Sequence, residues 1–297
     1  MQINGVLIED TFAEAFPMWA ARLIITADSP ELAQQAVAAA TGLAFSIIGC
    51  GCEAGSGEIL SLKETPDGRP GQVALLYSYS PEKLEEHLML RIGQGVLTSA
   101  TSACFNGLEG EKTTKVGGKL RYYADGFQSS KRLNGRRYWR IPVADGEFLV
   151  EESFGMTQGV GGGNLIFLGC ERLPLLEAAQ AAVRAIRSVP GVVAPFPGGI
   201  CRSPSKPLSK YVNVRASTND AFCPTLRSRV DTWLPEDAGA VYEIVIDGLN
   251  EESMGRAMQE GILAACRRGG VLGITAGNYG GKLGPYQLHL HKILEGC

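Results

Sequence analysis

The sequence lacks the features that mark membrane, secreted and nucleic-acid-binding proteins. None of its apolar runs approaches the roughly 18 residues that a membrane-spanning helix needs. Its opening residues, MQINGVLIEDTFAEAF, carry acids where a secretion signal has a basic start and an apolar stretch. The net charge of −3 gives no basic excess for binding phosphate backbones. We therefore expect a cytoplasmic protein that binds neither membranes nor nucleic acid.

Metal-binding and nucleophilic patterns are also sparse. His289 and His291 are predicted to share a strand face, but no third metal ligand follows from the sequence. Cys50 and Cys52 are likewise predicted on one strand face, and no second close pair completes a zinc site. The eight cysteines are scattered and are predicted to be free thiols. No serine nucleophile elbow occurs, so we predict no metal and find no candidate nucleophile.

A run of glycines, GVGGGN at 159–164, does not have the context of a phosphate-binding loop. Such a loop follows a strand and opens a helix, whereas these glycines lead into the strand NLIFLG. We predict that they form a tight connection between lobes.

What the chain has is enough apolar sequence for a large core, with 297 residues of which 45% are hydrophobic. A strand, a capped helix and a second strand follow one another four times. These units lie at 22–50, 73–104, 164–200 and 241–279. Their second strands are predicted at 43–50, 95–104, 192–200 and 271–279.

The four units come in two pairs, which predicts an α+β fold of two related ferredoxin-like lobes, each a split βαβ arrangement. We place the lobes at 1–148 and 149–297. Glycine steps within 118–127 and 136–154 predict hairpin extensions between the units.

One predicted strand, VYEIVIDGL at 241–249, contains a residue that does not fit. Alternation places Glu243 on one face between two valines. Counting back seven residues from the predicted helix caps Ser80 and Asn250 pairs Glu243 with Val73, so the fold itself does not require a carboxylate there. Glu243 either faces solvent or pairs with an arginine, or it has a function.

Three loops after apolar strands combine glycine with polar residues or proline, as ligand-binding loops do. They are APFPGGI at 194–200, ASTNDAFCPT at 216–225 and TAGNYGGKLG at 275–284. Ordinary turns favour the same residues, so composition alone leaves both interpretations open.

The stretch 112–140 departs from the charge of the whole chain. Nine basic residues stand against one acid, Asp125, which gives a local charge of +8. Such a surface attracts anions, and a solvated hairpin face explains it equally well.

Several motifs taken together resemble one family over essentially the whole chain. They are INGVLIEDTFAEAF, TPDGRPG, VEESFG, APFPGGI, ASTNDAFCP, VYEIVIDGLNEE and AGNYGGKLG. In this order they resemble formylmethanofuran:tetrahydromethanopterin formyltransferases, and we expect a member of the kind found in methylotrophic bacteria. The resemblance implies a cofactor-free acyltransferase of one-carbon metabolism that moves a formyl group between tetrahydromethanopterin and a methanofuran-type carrier. It also implies a homo-oligomer, with hydrolase-complex subunits as possible partners.

The resemblance also assigns residues. Glu243 matches the family's catalytic glutamate, and apolar neighbours are expected to raise its pKa, so that it acts as a protonated acid on a tetrahedral intermediate. Matching loops imply substrate binding by Gly198, Gly199, Asn219, Asp220, Gly277, Asn278 and Tyr279. The acidic tails of the carriers imply anion binding by Lys131, Arg132, Arg136 and Arg137.

Two other functions are compatible with the fold. A carrier-binding or scaffold subunit of a formyltransferase/hydrolase complex would keep the architecture without catalysis, and a regulatory ligand-binding protein could use the same lobes. The presence of Glu243 and of all three loops favours the enzyme.

Overall fold

The structure, a computed structural model, describes residues 1–202, 204–207 and 209–295. Its chain divides into two compact units of mixed α and β structure, which confirms the predicted mixture. Met18–Gly159 is the continuous unit, and Met1–Pro17 with Val160–Cys297 is the split unit. This division differs from the sequence-based one at 148/149, which stays a prediction.

The continuous unit follows the order strand, helix, strand, strand, helix, strand. These elements are strand Phe12–Thr26, helix Pro30–Thr41, strands Glu53–Leu60 and Gly71–Ser78, helix Pro81–Arg91 and strand Ala103–Asn106. Across the sheet the strands starting at 53, 71, 12 and 103 are neighbours in that order, and every pair is antiparallel. Further strands are Lys112–Thr114, Ser129–Leu133, Arg136–Val143 and Gly146–Glu151.

The split unit repeats this order. Its elements are strand Phe154–Gly169, helix Arg172–Arg187, strands Val192–Val193 and Ala240–Gly248, helix Glu251–Cys266 and strand Gly273–Thr275. The strands starting at 192, 240, 154 and 273 are antiparallel neighbours in that order. Further elements are strands Gln2–Ile3, Val6–Ile8, Ser205–Pro207, Ala216–Thr218 and Tyr286–His289 and helix Leu290–Leu294.

Three of the main helices begin at the predicted caps. The side chains of Ser29, Ser80 and Asn250 accept hydrogen bonds from Leu32 N, Lys83 N and Ser253 N, and thereby satisfy amides that have no partner inside the helix. Because these signals are local, the sequence located the starts of these helices correctly.

Several predicted second strands are wrong or too long. The run 43–50 contains the short helix Ile47–Cys50, whose first amide donates to the carboxylate of Glu53 at 2.8 Å. The run 95–104 begins as a π-helical turn, Ile92–Val96. In the other two runs only Val192–Val193 and Gly273–Thr275 pair as strands. Short apolar runs do not distinguish helix from strand, and pairing partners decide the length.

Two glycine-containing segments also differ from their predictions. The expected hairpin at 118–127 is helix Val116–Leu120 followed by the 3₁₀ turn Arg121–Ala124. The glycines of 159–164 lie inside the strand Phe154–Gly169, at a register shift between Val160 and Gly163. The chain passes from the continuous unit to the split unit at 159/160, so these residues connect the units as part of a strand and not as a tight turn. The hairpin between Arg136–Val143 and Gly146–Glu151 is confirmed.

Candidate active site

Glu243 lies on the face of the split-unit sheet that points away from the two main helices. The next residue, Ile244, belongs to the core cluster formed with those helices. Ile166, directly opposite Glu243 in the antiparallel pair, instead belongs to a separate cluster with Phe222 and Leu234. The long connection before Ala240 therefore covers this face, and Glu243 is only 6% exposed. The solvent-facing interpretation is wrong.

The carboxyl group of Glu243 is held by Asn164. Asn164 lies opposite Val245, the position diagonal to Glu243, and its Nδ2 donates to Glu243 Oε1 at 2.6 Å. Its Oδ1 accepts from Gly277 N at 2.7 Å. A Cβ at position 277 would lie 2.6 Å from Asn164 Nδ2, so only glycine leaves room for this contact.

A second buried carboxylate, Glu14, fixes the loop that follows Gly277. Glu14 is 1% exposed and accepts from the backbone amides of Tyr279, of Gly281 at 2.8 Å and of Leu283 at 2.7 Å. Gly281 has a φ of +73°, which glycine adopts without steric cost. The loop is therefore fixed at Gly277 by Asn164 and further on by Glu14.

Tyr279 lies in the electric field of both carboxylates. Burial, followed by the charges of Glu243 and Glu14, raises the pKa of Tyr279 to about 12. Its hydroxyl donates to Ser205 O at 3.1 Å. Near neutral pH this side chain is a neutral phenol and a hydrogen-bond donor.

A cavity of about 760 Å³ opens beside this loop. Its lining residues come from the connection before Ala240 and from the loop after Gly277. They are Lys206, Asn219, Asp220, Ala221, Phe222, Val230, Asp231, Trp233, Gly277, Asn278, Tyr279, Lys282 and Leu283. The rings of Phe222 and Trp233 meet edge to face with centroids 5.4 Å apart, and Trp233 is 62% exposed. Lys206 pairs with Asp220 and lowers the pKa of that carboxyl.

The structure brings together five of the seven predicted substrate-binding residues. Asn219, Asp220, Gly277, Asn278 and Tyr279 all line the cavity. Glu243 is connected to the lining through Asn164 and Gly277.

The other two predicted binding residues do not line the cavity. Gly198 and Gly199 form the turn Pro197–Gly199. Both have positive φ, and a Cβ on Gly199 would lie 2.5 Å from Val183, so these glycines satisfy backbone requirements. Their role in binding stays a prediction.

Four of the nine basic residues in the stretch 112–140 are paired with acids, namely Lys119, Arg136, Arg137 and Arg140. Arg136 pairs with Glu109 and Glu151, and Arg137 pairs with Glu152 at 3.2 Å. Two other predicted tail-binding residues, Lys131 and Arg132, are exposed on strand Ser129–Leu133 and have no ion pair within the described residues. Tail binding by these four residues stays a prediction.

Three residues of the site were not found from the sequence: Asn164, Glu14 and Trp233. Glu14 had a usable signal, because it interrupts the apolar run FAEAF as Glu243 interrupts its own strand. Asn164 and Trp233 have no comparable local signal.

The predicted histidine and cysteine faces are wrong. His289 ends a strand, whereas His291 belongs to helix Leu290–Leu294, where its Nε2 lies 2.9 Å from Ile8 O. Cys50 ends a short helix, and Gly51, with a φ of +70°, separates it from Cys52. Cys297 lies outside the described residues, within which no group of three or more His, Cys, Asp or Glu could hold a metal ion. No helix in the same part of the chain is long and apolar enough to cross a membrane.

Comparison with known proteins identifies relatives of nearly equal length. A formylmethanofuran–tetrahydromethanopterin formyltransferase of Methylococcus capsulatus is 52% identical over 297 residues, which cover 99% of this chain and 100% of that protein. The solved structure of such an enzyme from Methanosarcina barkeri matches with a TM-score of 0.95 at 49% identity, over 99% of this chain and 100% of that one. A chain of the formyltransferase/hydrolase complex from Methylorubrum extorquens, solved with methylofuran, matches with a TM-score of 0.96 at 47% identity, over 99% of both chains.

Two family models together match nearly the whole sequence. The family described as "Formylmethanofuran-tetrahydromethanopterin formyltransferase" matches residues 1–143, and that described as "FTR, proximal lobe" matches residues 146–293. The predicted resemblance is therefore confirmed, and the chain belongs to the formylmethanofuran–tetrahydromethanopterin formyltransferase family.

Proposed function

We propose that this chain moves a formyl group directly between tetrahydromethanopterin and a methanofuran-type carrier, with Glu243 as the acid at the reacting centre. The observation that carries this proposal is that buried Glu243 is linked, through hydrogen bonds by way of Asn164, to Gly277 in the wall of a cavity large enough for a carrier's ring system. The related sheet of the continuous unit has Val73 at the equivalent position. A buried carboxylate that the fold does not need, linked by hydrogen bonds to a cavity wall, supports a chemical role.

The proposed reaction needs no covalent enzyme intermediate. The nitrogen of the accepting carrier attacks the formyl carbon, and the C=O π electrons move onto oxygen to form a tetrahedral intermediate. Collapse of this intermediate restores the C=O bond and breaks the C–N bond to the donor carrier. The departing nitrogen takes up one proton, and the attacking nitrogen gives one up.

Protonated Glu243 would act twice in this sequence. It would donate a hydrogen bond to the developing oxyanion, and it would pass its proton towards the departing nitrogen and recover one from the attacking nitrogen. Tyr279, whose hydroxyl donates to Ser205 O, places its ring at the cavity wall. No nucleophilic side chain is required.

The cavity walls match the chemistry of the two carriers. Trp233 and Phe222 offer a rigid aromatic surface for a furan or pterin ring. The buried amide of Asn219 and the half-buried amide of Asn278 offer hydrogen bonds to polar ring edges. We propose that the exposed cations Lys131 and Arg132 bind the acidic tail of a carrier, with Arg136 and Arg137 in support.

The proposal extends to architecture and assembly. The identical order of elements and strand pairings in the two units supports related ferredoxin-like lobes with hairpin extensions. The related chain from Methylorubrum extorquens belongs to a formyltransferase/hydrolase complex, which supports a homo-oligomer that binds hydrolase subunits. We propose that the chain uses no bound cofactor, since both carriers enter as substrates.

The test is formyl transfer by Glu243→Gln beside the wild type, with saturating formyl-tetrahydromethanopterin and furan carrier. We expect kcat to fall about a hundredfold or more, because glutamine cannot supply the proton. Val73→Thr is the matched control, since it adds a polar group at the equivalent position of the other sheet and should keep normal turnover. Near-normal turnover of Glu243→Gln would contradict the proposed role, and an inactive wild type would favour the scaffold function.

A further inference from the structure

The orientation of the Asn164 amide is determined by its surroundings. The backbone N–H of Gly277 can only donate, so the atom of Asn164 that faces it at 2.7 Å must be the carbonyl oxygen. The amino group of Asn164 therefore faces Glu243 Oε1 at 2.6 Å. Rotating the amide by half a turn would oppose two donors at Gly277 and two acceptors at Glu243.

This orientation distinguishes the two oxygens of Glu243. A donor facing Oε1 makes Oε1 an acceptor whether the carboxyl group is charged or neutral. When Glu243 carries a proton, Oε2 is the favoured position, because the carbonyl oxygen of a neutral carboxyl group is the stronger acceptor and Asn164 donates to Oε1.

We propose that Asn164 is a positioning residue for the transfer reaction: it holds Oε1 of Glu243 as an acceptor and so assigns the reacting proton to Oε2. The inference rests on the proposed function of Glu243. It gives the buried amide a role in the chemistry beyond packing, since a fixed donor costs no reorganisation when the oxyanion forms.

The surroundings of Asn164 support this role. The residue is 6% exposed, and Gly277 provides the space that its amino group occupies. Its diagonal position beside Glu243 and its bond to the cavity loop tie the carboxyl group to the wall of the cavity. An error of about 1 Å in the position of a reacting group can cost on the order of a hundredfold in rate.

Asn164→Asp tests the inference because it changes one contact and keeps the other. One carboxylate oxygen still accepts from Gly277 N, so the loop remains anchored, while the other oxygen presents an acceptor to Glu243 Oε1. The reacting proton is then drawn between the two carboxyl groups. We expect kcat to fall about tenfold or more, while KM for both carriers stays within about twofold.

Asn164→Leu is the comparison variant. Leucine has the same branching at Cγ but makes neither contact, so we expect this variant to raise KM through the loop and to lower kcat. A purely structural role for Asn164 predicts that the aspartate variant changes kcat and KM together, or neither. Either result would overturn the inference.

A double variant provides a readout that does not depend on activity. In Asn164→Asp with Glu243→Gln the donor and the acceptor exchange places, so the melting temperature lost in Asn164→Asp should return while turnover does not. No recovery of the melting temperature would overturn the assigned orientation. If Glu243→Gln alone is active, the proposed role of Glu243 fails; if it is inactive and Asn164→Asp is normal, only the present inference fails.

Discussion

The two units place different chemistry on the same strand pairing. In the continuous unit Ile24 lies opposite Val73, and in the split unit Ile166 lies opposite Glu243. Each of these second residues stands seven positions before the cap of the following helix. The continuous unit shows that an apolar residue suits this position, which supports the proposal that the carboxylate in the split unit serves the reaction.

The comparison extends to the diagonal neighbour. In the continuous unit the equivalent of Asn164 is Arg22, which lies opposite Leu75 and donates to Gly107 O at 3.1 Å. Arg22 also pairs with Glu58, and the side chains of both residues are partly exposed. Asn164 occupies the equivalent place beside Gly277 and donates to a buried carboxyl group. The same place in the sheet therefore holds a partly exposed ion pair in one unit and a buried amide–carboxyl pair in the other.

The largest difference in kcat is expected when the equivalent glycines of the two units, Gly277 and Gly107, are each replaced by alanine. Gly277→Ala would put a Cβ 2.6 Å from Asn164 Nδ2 and displace the amide from Glu243, so kcat should fall about tenfold or more. In Gly107→Ala the Cβ would lie 2.9 Å from Arg22 Nη1 and 3.1 Å from the Cγ and the backbone oxygen of Arg22, so we expect a loss of stability with full turnover. Equal losses of kcat in the two variants would remove the distinction between the units.

Glu14→Gln should have the next largest effect. A glutamine amino group cannot accept from loop amides, so at least one of the three bonds is lost at a buried site, at a cost of about 1–3 kcal/mol. We expect a lower melting temperature and a higher KM, because the loop lines the cavity. The control is Glu53→Gln, which changes a buried carboxylate of the continuous unit outside the basic stretch and should leave KM unchanged. An unchanged KM in Glu14→Gln would mean that the loop keeps its conformation without Glu14.

What could be predicted from the sequence depended on distance along the chain. Helix caps such as Ser80 act over three residues, and they were found. Glu243 was found because it breaks a local alternation, and Glu14 could have been found in the same way. Asn164 could not, because its role comes from partners 79 and 113 residues away. For the same reason the short strand Val192–Val193 was predicted too long, since only its pairing sets its length.

A smaller effect is expected on the pH dependence of stability, through the buried carboxyl group of Glu151 in the continuous unit. Burial raises the pKa of Glu151, so between the ordinary glutamate value and this raised value the folded state binds more protons than the unfolded state. The stability contributed by this group is therefore present below the ordinary value and is lost as pH rises through the raised one.

Glu151→Gln should flatten that part of the stability profile. The free energy of unfolding, measured with urea from about pH 4 to 7, should fall less steeply with rising pH than in the wild type. Glu109→Gln, which removes one of the charges that raise the pKa of Glu151, should flatten the profile less than Glu151→Gln does. An unchanged slope in Glu151→Gln would show that another group controls stability in this range.

The smallest effect should distinguish residues within the basic stretch. Lys131 and Arg132 are exposed and have no ion pair among the described residues, whereas Arg136 and Arg137 are occupied by Glu109, Glu151 and Glu152. Replacing Lys131 and Arg132 by glutamine should raise KM for an acid-tailed carrier about two- to fivefold at low ionic strength. Near 1 M salt the screening length is about 3 Å, and the difference in KM should disappear.

The control is Lys63→Gln, which removes an exposed charge elsewhere in the continuous unit and should leave KM at the wild-type value. If the increase in KM persisted in high salt, the double variant would be acting through the fold and not through charge. If KM did not rise at low salt, tail binding by Lys131 and Arg132 would be contradicted.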